Sequence, residues 1–352
     1  MRKSFLWILA AASLVGACTP KKTVQQPKEF SQVVHFGFYN FENLFDTIDT
    51  KGVRDTEFTP RGSKNWNSAK YHEKLRHLAR VISDIGTKSN PDGLAFFGTA
   101  EIENKSVLDD FVRQPAIASR HYQYVHYDSP DRRGIDVALL YQPKYVTLIS
   151  SRTYKLTIPN PKEEGGEHPT RDILYAKLLL MGDTVHVLVN HWPSRRGGEA
   201  VTRPFREKAA AICRRVSDSI FAVSPRARIV IMGDLNDDPV SPSVKKVIGA
   251  KARPEQTGPH DFYNPWVKLY RNGEGTLAYR DAWSLFDQIL LSGTWLTGRD
   301  GSFRFYRAHV FHPDYLRQSI GQYRGYPFRT FVGNQYLGGY SDHFPTYITV
   351  VR

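Results

Sequence analysis

Cysteine is scarce in this chain, with two in 352 residues, so a disulfide scaffold is excluded. Glycine, at 26 residues, is too modest for a collagen-like repeat, and 21 prolines do not fit a coiled coil. Long apolar runs are missing too, and the stretch Phe5–Val15 is too short to cross a bilayer. Acidic residues fall short of basic ones, 35 against 48, which leaves a formal charge of +13. That bias favours anionic partners such as nucleic acid, phosphate esters or a membrane surface. What is present is ordinary globular composition, 41% hydrophobic and 24% charged, which buries a full core and excludes disorder of the bulk. Length allows one large α/β domain or two smaller ones.

Arg2 and Lys3 precede the apolar stretch, and Val15-Gly16-Ala17-Cys18 follows it. Small residues just before a cysteine resemble the lipobox of bacterial lipoproteins, whose cysteine becomes the lipidated first residue. The expectation is a signal peptide over 1–17, a lipidated Cys18 with a polar tether over 18–32, and a domain over 33–352. An ordinary cleaved signal peptide is the plainer alternative. The lipoprotein reading implies attachment to the cell envelope, on its periplasmic or cell-surface face. Cys213 is then the one unmodified thiol, and no intramolecular disulfide can form.

Beyond the tether, short β-rich runs alternate with helical periods. Val33–Tyr39 predicts a strand. Tyr71, Leu75, Leu78, Ile82 and Ile85 recur at helical spacing between Asn67 as cap and Gly86 as stop. Leu94–Phe97, Tyr122–Tyr127, Val137–Tyr141, Leu174–Leu180 and Val185–Val189 are further strand candidates. Phe205, Ala209, Ile212, Val216 and Ile220 mark a second helix, and Arg228–Met232, Phe286–Leu291, Phe303–Phe311 and Thr346–Val351 complete the strands. Strands outnumber helices, which predicts sheet packed on sheet with helices over the outer faces.

Polar clusters sit where these runs end: Asn40-Phe41-Glu42-Asn43, Glu101 with Glu103 and Asn104, Asn190-His191-Trp192-Pro193, Gly233-Asp234-Leu235-Asn236, and Ser341-Asp342-His343. Strand ends on one side of a sheet can gather distant side chains into one site. Carboxylates and amides are hard ligands suited to Mg²⁺ or Mn²⁺, and two histidines can move protons. Taken singly, each cluster is equally a turn, a cap or a solvated face. Together they supply what one site needs, in order, after successive strands.

The five clusters resemble the motifs of the endonuclease/exonuclease/phosphatase superfamily. Tyr39-Asn40-Phe41-Glu42-Asn43-Leu44-Phe45-Asp46, Arg133-Gly134-Ile135-Asp136-Val137-Ala138 and Phe286-Asp287-Gln288-Ile289-Leu290 fit its extracytoplasmic bacterial members. The resemblance runs from about Val33 to the C-terminus. It implies a deoxyribonuclease-I-like α/β (α+β) fold, a four-layer sandwich of two packed mixed β-sheets flanked by helices. It also implies roles. Glu101 would be the principal metal ligand, with Asn40 and Asp342 beside it. Asp234 and Asn236 would flank the scissile phosphate, one handling the attacking water and the other a phosphoryl oxygen. His343, oriented by Asp287, matches the family's Asp–His pair, and His191 matches the second histidine of the deoxyribonuclease-like branch. Arg171 lies where relatives often carry an arginine near the phosphate.

The activity implied is metal-dependent hydrolysis of phosphate esters, with Mg²⁺ or Mn²⁺ as cofactor and a nuclease or phosphodiesterase as first expectation. A phospholipase-C-like or small phosphate-ester hydrolase is the alternative, and a polyanion-binding envelope lipoprotein the non-enzymatic one. Nucleic acid or another phosphodiester is the expected partner, the membrane is reached through the lipid anchor, and no obligate protein partner is expected. Two basic stretches are candidates for substrate contact. Arg195, Arg196, Arg203, Arg206 and Lys208 follow His191, while Arg304, Arg307, Arg317, Arg324 and Arg329 are interleaved with aromatics. The first is equally the solvated face of a helix, and the second a packed insertion with a polar surface.

Overall fold

The computed structural model describes residues 30–159, 166–168, 170–298 and 301–352. The proposed signal peptide, Cys18 and nearly all of the tether lie outside the described residues. Residues 31–352 form one compact unit, and among the described residues no helix is long and apolar enough to cross a membrane.

Twelve strands build two six-stranded sheets. In chain order they are β1 (Val33–Leu44), β2 (Leu94–Ile102), β3 (Gln123–His126), β4 (Asp136–Tyr141), β5 (Val146–Tyr154), β6 (Ile173–Leu180), β7 (Asp183–His191), β8 (Arg228–Asp234), β9 (Phe262–Tyr263), β10 (Asp287–Ser292), β11 (Arg304–Val310) and β12 (Thr346–Val351). The first sheet has the order β11-β12-β1-β2-β4-β3 and the second β9-β10-β8-β7-β6-β5. At the centre of each, one pair is parallel (β1 with β2, β8 with β7), and the other ladders are antiparallel. Both sheets are therefore mixed, as expected.

Three apolar layers hold the sandwich together. Between the sheets, Phe36, Phe38 and Phe96 of the first meet Val187, Val189 and Met232 of the second. Each such side chain contributes roughly 1.5–3 kcal/mol on burial. Gly98 lets the sheets approach, since a Cβ there would lie 2.8 Å from Met232 Sδ and 2.9 Å from Val189 Cγ1. The outer face of the first sheet is covered by α1 (Ser68–Asp84) and α2 (Lys105–Val112) through Leu75, Leu78, Ile82, Leu108 and Phe111. Asn67 caps α1 by accepting from the Lys70 amide at 3.1 Å, as its position before the apolar period predicts. The outer face of the second sheet is covered by α3 (Glu199–Val223) through Ala209, Ile212, Cys213 and Val216.

The strand ends decide the function. β1, β2, β7 and β8 finish at one edge of the sandwich, and β10 and β12, running the other way, begin there. Asp234 on β8 is directly paired with both His191 and Asp287, and Asn40 with Ala100, next to Glu101.

Candidate active site

At this edge the regular ladders break. The β1–β2 register shifts between Asn40 and Leu44, and the β2–β4 register shifts between Ala100 and Ile102. Extra residues at a strand end re-aim side chains. Glu42, Asn43, Glu101 and Asn236 all adopt positive φ, between 48° and 64°. A glutamate in the left-handed region is rare, and such strain concentrates at functional sites. Gly233 admits the close approach of β7 and β8, because a Cβ there would stand 2.2 Å from the Asn190 carbonyl oxygen.

The distorted ends bring the expected side chains together. His343 Nδ1 donates to Asp287 Oδ2 at 2.7 Å, and its Nε2 lies 4.0 Å from Asp234 Oδ2 and 3.9 Å from Asp342 Oδ1. His191 Nε2 faces Asp234 Oδ2 at 3.6 Å and Glu101 Oε1 at 3.8 Å. Asn40 Nδ2 donates to Asp234 Oδ2 at 3.2 Å, while its Oδ1 accepts from the Glu42 amide at 2.9 Å. Glu101 Oε2 accepts from the Asn43 amide at 2.8 Å, so its other oxygen is the one turned toward His191. The Asn236 side chain donates to the Trp192 carbonyl at 3.0 Å, and its backbone amide donates to Asp234 Oδ1 at 3.0 Å.

Burial and charge push the ionisable groups apart. His191 is held well below the ordinary imidazole range, chiefly by burial and then by Arg171, Arg133 and His343. Burial also opposes charge on His343, but Asp287, Asp342 and Asp234 outweigh it and raise that ring well above its usual value. Asp234 is pushed up to about 7, mainly by burial; His343 opposes the rise, and Asp287 and Glu101 add to it. Asp342 ends lower than usual because His343, Arg329 and Lys74 overcome its desolvation.

The donor set fits a divalent metal. Glu101, Asp342 and Asn40 offer hard oxygens, with Asp234 alongside. Burial, with Asp287 and Glu101 nearby, raises Asp234, and Oδ1 of Asp287 is buried without a partner, costs that a bound cation would offset. Asp234, Asp287 and His343 also bring ligand atoms within 4.8 Å of one another.

The remaining expected residues have different surroundings. Arg171 is buried, with Nη1 on Asp131 at 2.9 Å and its other donors on the His191 and Trp192 carbonyls, so it props the end of β7. Arg195 bonds the Asn236 carbonyl at 2.9 Å and pairs with Asp237, Asp238 and Glu199, bracing the loop after β8. Arg206 is fully buried against Asp237 at 2.8 Å. Arg304 lies at the end of β11 away from His343 and Arg307 at its middle, since Arg304 pairs with Val351, Arg307 with Thr349 and Val310 with Thr346. Of the five arginines interleaved with aromatics, Arg329 is the one that reaches the cluster, 2.6 Å from Asp342 Oδ2. Lys74 was not among the expected residues. It is buried on α1, its Nζ 3.4 Å from Glu42 Oε2 and bonded to Thr330 Oγ1 and the Tyr340 carbonyl. The signal was a lysine inside the apolar stripe of an amphipathic helix.

The two-sheet sandwich and this edge of carboxylates, amides and imidazoles define a hydrolase that works on phosphoesters. A model of the Endonuclease/Exonuclease/phosphatase family matches residues 35–352, and the chain belongs to that family. Its activity is accordingly metal-dependent phosphoester hydrolysis. No curated protein matches the sequence. Among solved structures, an endonuclease/exonuclease/phosphatase family protein from Bacteroides thetaiotaomicron aligns at 15% identity and TM-score 0.54, covering 91% of this chain and 98% of that one. A humanized D. rerio TDP2 aligns at 13% identity and TM-score 0.53, covering 91% of this chain and 99% of that one. A mannosyl-6-phosphatase of B. thetaiotaomicron VPI-5482 aligns at 15% identity and TM-score 0.53, covering 91% and 100%. At these identities the likeness is one of fold.

Proposed function

We propose that the protein is an envelope-anchored phosphodiesterase of the nuclease type that uses Mg²⁺ or Mn²⁺. The observation that carries the diester reading is the shape of the site. A cavity of about 510 Å³ and one of about 220 Å³ share Arg329 and Asp342 in their walls. A phosphate held at Arg329 would have a separate cavity for each of two substituents, whereas a monoester needs only one.

Glu101, Asn40 and Asp342 would hold the metal, whose chemistry when bound is to neutralise charge on the phosphoryl oxygens. Asp234, poised near neutrality, takes a proton from the attacking water. His343 carries the proton that Asp287 stabilises and presents Nε2 to the leaving oxygen. The Asp287 bond also fixes the ring's tautomer and orientation. His191 stays neutral and acts as a hydrogen-bonding group beside the water and the phosphoryl oxygens. Asn236, oriented by the Trp192 carbonyl, directs its remaining amide hydrogen at a phosphoryl oxygen.

Chelation should abolish turnover of DNA, RNA and a small diester, and Mg²⁺ or Mn²⁺ should restore it. Full activity in excess chelator refutes the metal assignment, and activity confined to monoesters or lipid head groups refutes the substrate class. A lipidated Cys18 predicts partition with membranes that Cys18→Ser abolishes.

A further inference from the structure

The larger cavity offers solvent-accessible tyrosine rings, whereas the aromatics lining the smaller one, Phe58 and Phe331, are buried. One wall is the tip of a hairpin formed by Leu277–Tyr279 and Ala282–Ser284, where Arg280 and Asp281 take positive φ as a tight turn requires. The other wall comes from the segment before Arg329, with Tyr323, Tyr326 and Gln318. Tyr279 is 69% exposed at the tip, and the Arg280 guanidinium lies 5.2 Å from its ring centre. An exposed aromatic beside a guanidinium, in a cavity whose lining includes Arg329 and Asp342, is a surface on which a planar ring can stack.

The walls are tied to the chemistry. Tyr326 donates its hydroxyl to Asp281 Oδ1 at 2.6 Å and accepts from the Asp281 amide at 2.7 Å, latching one wall to the other. Trp283 of the hairpin stacks on Phe344, the neighbour of His343, with ring centres 6.0 Å apart. Phe344 in turn donates its amide to the Thr276 carbonyl at 2.7 Å, just before the hairpin. A ligand on Tyr279 is thereby held in a fixed relation to His343 and Arg329.

We infer that this cavity is the subsite for the nucleoside carried by the scissile phosphate, with its base stacked on Tyr279 and Tyr323 and its phosphate against Arg329. The inference rests on the phosphodiesterase reading and specifies its substrate. A sugar ring is the competing occupant of the same space.

The test uses three p-nitrophenyl phosphodiesters that share a leaving group and differ in the other substituent: methyl, thymidine-5′ and glucose-6. The wild-type protein should prefer the thymidine ester over both others in kcat/KM. Tyr279→Ala should reduce the thymidine-to-methyl ratio roughly 5- to 100-fold, mostly through KM, as expected for loss of one base stack. Tyr279→Phe, which keeps the ring, should preserve the ratio. Tyr279 is exposed, so these variants do not disturb packing. Equal efficiencies on all three esters, or a ratio untouched by Tyr279→Ala, overturns the nucleoside subsite while leaving the phosphodiesterase reading intact. A preference for the glucose ester assigns the cavity to a sugar and overturns it as well. Hydrolysis of none of the three overturns the phosphodiesterase reading, and the subsite with it.

Discussion

Lys74 offers a sharp test of how the active edge is supported. Its ammonium and the Glu42 carboxylate are 1% and 6% exposed, and burial opposes charge on both, lowering the lysine and raising the glutamate. Such a pair adds little net stability over two neutral groups, yet removing one partner strands the other. In Lys74→Met, Glu42 must either stay charged without its main counter-ion or take up a proton. From the ordinary glutamate value of 4.5, protonation at pH 7.5 costs about 4 kcal/mol, and at pH 5.5 about 1.4 kcal/mol. These are upper bounds on the pH-dependent loss, because Arg329 and the Thr330 amide still face Glu42. The broken bonds to Thr330 Oγ1 and the Tyr340 carbonyl add a pH-independent part of roughly 1–3 kcal/mol per stranded group. Urea unfolding of wild type and variant at the two pH values measures the difference directly. The destabilisation should be larger at pH 7.5 by about 2 kcal/mol, and the added change Glu42→Gln should remove that pH dependence. A destabilisation equal at both pH values and unrelieved by Glu42→Gln would show that the buried charge is not what makes Lys74 necessary.

His35 and His186, 1% and 8% exposed, are each lowered to about 4, mainly by burial. They are neutral in the fold but titrate near the ordinary imidazole value of 6.5 once unfolded, so the stability they contribute is complete above that pH and is lost as pH falls toward 4, by about 3 kcal/mol each. Urea midpoints of His186→Gln and wild type between pH 7.5 and 4.5 should show a shallower decline in the variant; parallel curves refute the linkage. Asp287→Asn should leave the fold intact and lower kcat by about 10²–10⁴. Its deficit should be smaller for a nitrophenolate than for an alkoxide leaving group, and equal deficits argue against His343 as proton donor. Arg195→Ala should lower Tm with little change in KM, because its guanidinium braces the loop of Asn236; a raised KM at unchanged Tm instead makes it a substrate contact.

The fold was largely legible because its strands and helices carry strong patterns. Thr346–Val351 matches its predicted bounds; α1 follows its apolar period, starting three residues before Tyr71 and ending just before Ile85, and α3 extends its period at both ends. The elements missed have weak patterns. β5 lies at the edge of its sheet, largely solvated, so Thr147, Ile149 and Ser150 are exposed and no apolar run marks it. α2 has eight residues, too few for a helical period to declare itself.

The active edge shows a different kind of limit. Sequence order identified Asn40, Glu101, His191, Asp234, Asp287 and His343 as candidates, but the distortions that make them converge belong to pairs of strands. Glu101 turns inward because β2 carries an extra residue against β4, and nothing in Ala100-Glu101-Ile102 alone reports its partner's register. The arginines teach the same lesson. Arg304 and Arg329 look equivalent as basic residues among aromatics, yet Arg304 aligns with Val351 at the far end of β12 and Arg329 arrives beside Asp342. A strand advances about 3.3 Å per residue, so a few steps of register carry a charge out of reach of any phosphate at His343. Composition can therefore nominate an anion-binding protein, but only pairing tells which cations face the anion. In the proposed site that residue is Arg329, which lines both cavities, and its replacement should weaken substrate binding more than that of Arg304.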